Sequence, residues 1–177
     1  MLRTFALATA CLIAAFVAPS RGGDDPKAAV SLSRLTWADF QKHLATPNGA
    51  KYTLVDAWST TCGPCKENFP HLVEMDRKYA AKGLAVVSLS LDDKEDAKAL
   101  GDARKFLADK KATFTNVLLD EDYGVGFEKL DINAIPAVFL FDQNGKEVKR
   151  FTMDDPNHQF TYDEVEKEVI ARLDGAK

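Results

Sequence analysis

Cysteine is scarce in this 177-residue sequence, which holds three, at positions 11, 62 and 65. Histidine is equally scarce, with three residues scattered along the chain. A structural zinc site needs four cysteine or histidine ligands that meet in space. With so few candidates, a zinc site built on Cys62 and Cys65 is a weak alternative, and we expect neither a metal nor an organic cofactor.

A block of basic residues is also absent. The formal net charge is −4 and the isoelectric point is about 5.4, whereas binding to nucleic-acid phosphates needs clustered Lys and Arg. We therefore expect no nucleic-acid partner and no polybasic membrane patch. The sequence shows no internal repeat and no low-complexity tract. With 46% apolar residues it can bury a core, and its length suits one domain better than two.

One long uncharged segment stands near the N-terminus. Arg3 is followed by a largely apolar run from 4 to 18, which is the pattern of a secretory signal peptide. The run is shorter than the ~20 residues that span a bilayer comfortably. Three interpretations stay open: a signal peptide cleaved near Ser20, an uncleaved N-terminal anchor, or a lipoprotein attached at Cys11. We expect an exported protein, periplasmic or otherwise extracytoplasmic, that divides into residues 1–20 (signal peptide or anchor), 21–33 (linker) and 34–177 (folded domain).

Once Cys11 is set aside, Cys62 and Cys65 are the only cysteines of the expected domain. A disulfide stabilises a fold more when it closes a longer loop, and a bridge across two intervening residues constrains the unfolded chain little. Such a bridge is better suited to opening and closing than to holding a fold together. Disulfides persist in exported proteins, so we interpret the pair as redox chemistry. A silent structural disulfide is the alternative that the residues leave open.

The hydrophobic pattern predicts alternating strands and helices, followed by a hairpin and a terminal helix. Strands are expected at 52–58, 84–91, 114–119, 136–141 and 147–152. Helices are expected from the cap Thr36, over 64–82, from the caps Asp92 and Asp93 to about 111, and over 161–173, with a short helix or turn at 121–130. Strands and helices that alternate in the first part of the chain, followed by a hairpin near its end, indicate an α/β fold with a mixed central sheet and helices on both faces.

The segment Cys62-Gly63-Pro64-Cys65 follows an expected strand and opens an expected helix. The first N–H groups of a helix lack internal partners and, together with the helix dipole, favour an anion. We therefore expect the Cys62 thiolate to be stabilised and its pKa to be lowered. Pro64 suits the first turn because it has no N–H to leave unpaired. Cys65 should be shielded inside that turn, which makes Cys62 the attacking thiol and Cys65 the resolving thiol.

This segment resembles the thioredoxin active site, and residues 35–175 are similar to the exported TlpA/ResA-type thioredoxin-like proteins. Asp56 lies six residues before Cys62, where thioredoxins carry a buried acid. Trp58 lies four residues before the same cysteine, and Pro70 follows it by eight, at the family's helix kink. The apolar neighbours of Asp56 in the expected strand favour its burial.

Two features outside this segment extend the resemblance. Ile135-Pro136, just before an apolar strand, matches the family's cis-proline, which packs beside the disulfide. The strand and helix expected between about 84 and 111 resemble the insertion of the TlpA/ResA type. The resemblance therefore implies a thioredoxin-like α/β fold with a strand–helix insertion, and identifies the expected domain as a thioredoxin-like domain.

The resemblance also implies a function: a thiol–disulfide oxidoreductase that exchanges disulfides with protein clients, with the Gly-Pro insert favouring a reductase. Cys62 would be the nucleophile, Cys65 would resolve the mixed disulfide, and Asp56 would accept the proton of Cys65. The residues expected to bind or shape the partner are Trp58, Gly63, Pro64, Ile135 and Pro136. The redox-active disulfide would take the place of a cofactor. The expected partners are client proteins with cysteines and an electron-donor protein, with a membrane protein as one option, and the chain is expected to be a monomer.

Three residues depart from the family pattern. Thr61 stands where thioredoxin has a second Trp, Ser88 aligns with the lysine that pairs with the buried acid, and Asn68 replaces a glutamate of some ResA-type proteins. On this alignment the buried acid is left as the sole proton-handling group. Two rival functions stay open. A peroxidase is one, although Ser59 fits the peroxiredoxin pattern and Val55 does not, and a binding module without turnover is the other.

Overall fold

The computed structural model describes residues 30–45 and 49–175. The expected signal peptide or anchor, the cleavage near Ser20 and the lipoprotein site at Cys11 lie outside the described residues and stay predictions. Within the described residues, no helix is long and apolar enough to cross a membrane.

Strands and helices alternate along the described residues much as the hydrophobic pattern predicts. The strands are β1 (Ser33–Leu35), β2 (Tyr52–Trp58), β3 (Leu84–Ser90), β4 (Thr115–Leu119), β5 (Ala137–Asp142) and β6 (Glu147–Phe151). The α-helices are α1 (Trp37–Ala45), α2 (Gly63–Tyr79), α3 (Ala97–Asp109), α4 (Val125–Leu130) and α5 (Tyr162–Gly175), and a 3₁₀ turn (Ala80–Lys82) extends α2. Thr36 caps α1 as expected, since its Oγ1 accepts the Asp39 N–H at 3.2 Å.

One mixed sheet joins the six strands in the order β1-β4-β3-β2-β5-β6. β2 lies inside this sheet, parallel to β3 and antiparallel to β5, and β5 forms the expected hairpin with β6. Because β2 and β3 are parallel and Trp58 pairs with Ser90, both strands end at the same edge of the sheet. This edge carries the turns that lead into the cysteine pair.

Helices cover both faces of the sheet, as predicted. On one face, Leu54 and Trp58 of β2 pack in a cluster with residues of α2, α3 and α5. On the other face, Val55 and Ala57 pack in a cluster with residues of α1 and α4. Successive side chains of a strand point to opposite faces, so Asp56 faces the cluster under α2 and α5. β2 is therefore buried on both sides, and the packing on each side fixes the position of Asp56 at its centre.

The start of α3 corrects one prediction. Asp96 caps this helix, because its carboxylate accepts two N–H groups of the first turn at 2.9 and 3.0 Å. The prediction that Asp92 and Asp93 are the caps is wrong. The chain leaving β3 turns through both residues before it reaches the helix. The Asp92 carboxylate binds Thr60 and Ser90 instead of the helix.

The hydrophobic pattern does not predict β1. This strand pairs in parallel with β4 at the edge of the sheet. It begins at Ser33, inside the range expected to be a linker, and has three residues, of which Ser33 and Arg34 are exposed. A strand this short, with mainly polar residues, lacks the alternation that marks strands in a sequence.

Two helical glycines test how tightly α4 packs against the sheet. A Cβ on Gly126 in α4 would lie 2.7 Å from Leu91 Cδ2 and 2.9 Å from Leu119 Cδ2, whereas a Cβ on Gly101 in α3 meets nothing within 4 Å. Overpacking typically costs ~1–3 kcal/mol, while Gly→Ala in an exposed helix gains up to ~1 kcal/mol. We expect Gly126→Ala to lower the free energy of unfolding in urea and Gly101→Ala to raise it. Stabilisation by both substitutions would contradict the packing of α4.

Candidate active site

The Cys62–Cys65 disulfide lies at the first turn of α2. Cys62 is the N-cap residue, in an extended conformation at φ −81° and ψ 103°, and its Sγ accepts the Cys65 N–H at 3.2 Å. Pro64 occupies the first turn, where its missing N–H leaves nothing unpaired. The sulfur thus takes the place that a Ser or Asp oxygen takes at many helix N-termini. Negative charge on this sulfur is favoured there.

The two cysteines differ in exposure. Cys62 is half-buried beside exposed Gly63 and Pro64, while Cys65 is 1% exposed and packs in the core under the site. A partner can approach the Cys62 sulfur from solvent, but the Cys65 sulfur is covered. This arrangement allows Cys62 to react with a partner and Cys65 to react with Cys62.

Asp92 holds the loop that leads into the cysteine pair. Its carboxylate accepts the Thr60 N–H at 2.9 and 3.1 Å, the Thr60 hydroxyl at 2.6 Å and the Ser90 hydroxyl at 2.7 Å. The residue is 7% exposed, so these bonds replace water as partners of the carboxylate. Sequence reasoning missed this role. The available signal was position, since Asp92 closely follows β3 at the edge where β2 also ends.

The Ile135–Pro136 peptide bond is cis, as the resemblance implied. It lies against the disulfide, because the Ile135 carbonyl oxygen is 3.7 Å from Cys62 Sγ. Ile135 is half-buried and Pro136 is buried. The structure therefore brings the Ile135 backbone next to the Cys62 sulfur and buries the adjoining Pro136.

Trp58 corrects the expected set of partner-binding residues. Its side chain is 0% exposed, and its ring lies 5.5 Å from the Phe69 ring and 5.1 Å from the Phe106 ring, centroid to centroid. Because Trp58 ends β2, a strand of the sheet, and lies under α2 and α3, it packs in the core and not at the surface where a partner would contact the site. Thr61, which replaces a second Trp, is exposed and leaves this side of the site uncovered.

Asp56 is buried as expected, with 1% of its surface exposed. Its Oδ2 accepts the Tyr162 hydroxyl at 2.7 Å, while its Oδ1 has no hydrogen-bond partner among the described residues. Burial raises the pKa of Asp56 from its ordinary value of 3.8 to about 7, and the bond from Tyr162 opposes part of this rise. The carboxyl group can therefore gain and lose a proton near neutral pH.

Tyr162 is a second site residue whose role sequence reasoning missed. Ser88 pairs with Asp56 in the sheet register, but its hydroxyl donates to Asn116 Oδ1 at 2.8 Å, so it does not replace the lysine of thioredoxin. The hydrogen-bond partner of Asp56 is instead the phenol of Tyr162, at the start of α5. Burial and the nearby Asp56 charge raise the pKa of Tyr162 well above 10, so the phenol stays a donor.

The histidines do not gather with the cysteine pair. Within residues 30–45 and 49–175, no group of three or more His, Cys, Asp or Glu side chains could hold a metal ion. His71 instead stacks on Tyr162, with the ring centroids 5.7 Å apart. The structure pairs the two sulfurs in a disulfide and the Asp56 carboxyl with the Tyr162 phenol, and Cys65 and Tyr162 belong to the same core cluster.

The raised pKa of Asp56 makes folding stability depend on pH. Between about pH 4 and about pH 7, the unfolded chain ionises this carboxyl while the folded protein keeps it protonated. Its contribution to stability is therefore full below about pH 4 and is lost as the pH rises through about 7, by up to about 1.4 kcal/mol per pH unit. We expect Asp56→Asn to gain stability relative to the wild type as the pH rises across this range.

Urea denaturation of the oxidised proteins at about pH 4.5 and about pH 7.5 measures this effect, over a range where linkage predicts the largest change. Asp174→Asn, at an exposed carboxyl near the end of α5, is the control and should track the wild type. A difference between Asp56→Asn and the wild type that stays constant with pH would contradict the raised pKa.

Comparison with known proteins agrees with this geometry. The Redoxin family matches residues 29–169. The thiol-disulfide oxidoreductase ResA of Bacillus subtilis (strain 168) is 28% identical over 102 residues, which are 58% of this chain and 53% of ResA. The thiol-disulfide oxidoreductase YkuV of the same strain is 30% identical over 98 residues, 55% of this chain and 64% of YkuV. The chain thus spans 53% and 64% of the length of these relatives.

A solved structure of a protein with a related name is also similar to this chain. A protein from Chlorobium tepidum, provisionally named thiol:disulfide interchange protein DsbE, is 32% identical and superposes with a TM-score of 0.58. The superposition covers 72% of this chain and 83% of that protein. The Redoxin match extends from before β1 into α5 and includes the cysteine pair and the cis-proline. The chain therefore belongs to the Redoxin family, as a thioredoxin-superfamily protein of the ResA type.

Proposed function

We propose that this protein is a thiol–disulfide oxidoreductase that exchanges disulfides with client proteins through Cys62 and Cys65. The observation that carries the proposal is the asymmetry of the pair. The Cys62 sulfur caps α2 at a half-buried position, and Cys65 is 1% exposed. Exchange needs one accessible thiolate and one shielded resolving thiol. The names of ResA and YkuV, which are thiol-disulfide oxidoreductases, support the same activity.

Reduction of a client disulfide would take two attacks. The Cys62 thiolate attacks one client sulfur, forms a mixed disulfide and releases the other client sulfur as a thiolate. Cys65 then loses its proton and attacks the Cys62 sulfur, which breaks the mixed disulfide and frees the second client thiol. The dithiol gives up two electrons and ends as the Cys62–Cys65 disulfide. The reverse sequence would oxidise a client.

Asp56 is proposed to accept the proton that Cys65 loses in the second attack. It faces the core cluster that contains Cys65 and Tyr162. A carboxyl with a pKa of about 7 suits the task, because proton transfer is most effective when the pKa of the acceptor lies near the working pH. Its Oδ1, which lacks a partner among the described residues, is the oxygen available to take the proton.

The surface around the Cys62 sulfur is proposed to hold the client. Gly63 and Pro64 next to Cys62 are exposed, and the carbonyl oxygen of half-buried Ile135 lies 3.7 Å from the sulfur. Pro136, which is buried, would shape this groove without touching the client. Exposed Thr61 would leave the groove open to a folded protein.

A reductase needs a source of electrons, since each turnover leaves the bridge oxidised. We propose a second protein as the donor, with a membrane protein as one option. The apolar N-terminal run suggests that the exchange takes place outside the cytoplasm, where client disulfides persist. The reducing direction is supported by the Gly-Pro insert between the cysteines.

Trapping of mixed disulfides tests the function and the division of roles. Reduced Cys65→Ser protein should form a stable mixed disulfide with insulin, because the resolving thiol is missing while the Cys62 thiolate can still attack. The Cys62→Ser protein should form little, because Cys65 is 1% exposed. Non-reducing electrophoresis measures both, and turbidity of insulin reports turnover by the wild type.

Equal trapping by the two variants would contradict the assignment of the nucleophile. Peroxide consumption is measured beside insulin reduction, because the peroxidase is the rival function. Peroxide turnover that exceeds insulin reduction would favour the peroxidase. Absence of both activities in the reduced wild type would favour a binding module.

The role of Asp56 predicts an effect on one step. At about pH 7, Asp56→Asn should leave the attack by Cys62 nearly unchanged and slow release of the mixed disulfide by roughly 10²–10⁴, the usual worth of a general base. Single-turnover reduction of a fluorescent disulfide peptide, with both steps resolved, is the measurement, and Asp174→Asn is the matched control. Equal slowing of both steps, or of neither, would refute this role.

A further inference from the structure

Tyr162 and Asp56 form an isolated polar pair inside the core. The Tyr162 hydroxyl donates to Asp56 Oδ2 at 2.7 Å, and the two residues are 4% and 1% exposed. Burial and this hydrogen bond are the influences on the carboxyl from the described residues. The groups beside the pair are Ser88 from β3 and Val138 from β5, which are the register partners of Asp56, and His71 from α2, which stacks on Tyr162. Cys65 of α2 belongs to the same core cluster as Tyr162.

The fold fixes the phenol firmly in this position. Tyr162 is the first residue of α5, whose start is closed by a reciprocal cap: the Thr161 N–H donates to Glu164 Oε2 at 2.7 Å, and the Glu164 N–H donates to Thr161 Oγ1 at 3.3 Å. The ring packs against His71 and Phe160, each at a centroid distance of 5.7 Å. These contacts hold the ring with its hydroxyl directed at Asp56.

We propose that Tyr162 is a positioning residue for thiol–disulfide exchange: it binds one carboxylate oxygen of Asp56, stabilises the ionised form, and leaves Oδ1 to take the Cys65 proton. A lysine would also stabilise the carboxylate, whereas a neutral phenol does so without bringing a second charge into the core. A hydrogen bond to a charged acceptor is also stronger than one to a neutral acceptor. The bond thus favours Asp56 as a carboxylate that is ready to accept a proton.

This inference rests on the proposed role of Asp56 and adds the residue that tunes it. Without the hydroxyl, burial alone would act on Asp56, and a larger share of the carboxyl would be protonated at neutral pH. Protonated Asp56 cannot accept a proton from Cys65. Release of the mixed disulfide should then need a higher pH, while the attack by Cys62 should not.

The test is the pH profile of the release step in Tyr162→Phe, which removes the hydroxyl and keeps the ring that packs against His71 and Phe160. Tyr79→Phe is the matched control, since the Tyr79 hydroxyl donates to Glu166 Oε1 at 2.6 Å and the residue is 7% exposed. It too belongs to the core under α2 and α5. The Asp56 carboxyl is titrated directly by carbon-13 NMR in the oxidised proteins.

We expect Tyr162→Phe to move both midpoints, of the release step and of the carboxyl titration, to higher pH by about one unit. Release should be roughly fivefold slower at about pH 7 and should recover at higher pH, because a one-unit rise from a pKa of about 7 cuts the ionised share of Asp56 there from about one half to about one tenth. Tyr79→Phe should leave both midpoints in place. A purely structural role of Tyr162 would lower the rate without moving the profile, and that result would overturn the inference.

Asp56→Asn, measured in the same series, distinguishes failure of this inference from failure of the proposed role of Asp56. If Asp56→Asn slows release and Tyr162→Phe leaves the profile unmoved, the inference is wrong and the role of Asp56 stands. If Asp56→Asn does not slow release, the role of Asp56 fails and the inference fails with it. Because the two residues act as one unit, Tyr162→Phe should have no further effect on release in the Asp56→Asn protein.

Discussion

The hydrogen bond from the Cys65 N–H to the Cys62 sulfur is the interaction on which the rest of the site depends. It makes sulfur the N-cap of a 17-residue helix, so that charge on the sulfur meets unpaired N–H groups and the positive end of the helix dipole. Two neighbouring residues support this hydrogen bond. Asp92 fixes Thr60 in the loop before it, and Pro64 removes an N–H that would otherwise compete or stay unpaired.

The central strand adds the second chemical group. β2 is buried on both faces, and the alternation of its side chains sends Asp56 into the cluster under α2 and α5. An ionised carboxylate in such a place is costly unless it is hydrogen-bonded. The phenol of Tyr162 supplies one bond and no charge, which leaves the carboxyl poised near neutral pH rather than locked in either form. The sheet thus holds the Asp56 carboxyl in place, and α2, which packs on the sheet, holds the two sulfurs.

Local patterns predicted the features that local residues determine. The apolar run of β2, the cysteine pair at a helix start and the mixed sheet follow from periodicity, capping and turn chemistry. Long-range contacts decided the rest. Tyr162 lies 106 residues from Asp56 along the chain, and Asp92 lies 32 residues from Thr60. Patterns read over a short stretch of sequence therefore cannot predict either pair. The full burial of Trp58 depends on where α3 packs, which periodicity does not specify.

The central claim is that the helix start favours the Cys62 thiolate, and its most direct test is the rate of alkylation of the reduced Cys65→Ser protein against pH. The thiolate reacts and the thiol does not, so the midpoint of this profile reports when the sulfur ionises. The substitution changes only the side chain, so the backbone N–H at position 65 can still donate to the Cys62 sulfur. The account predicts a midpoint well below the ~8.5 of a free cysteine, and a midpoint at or above ~8.5 would contradict it.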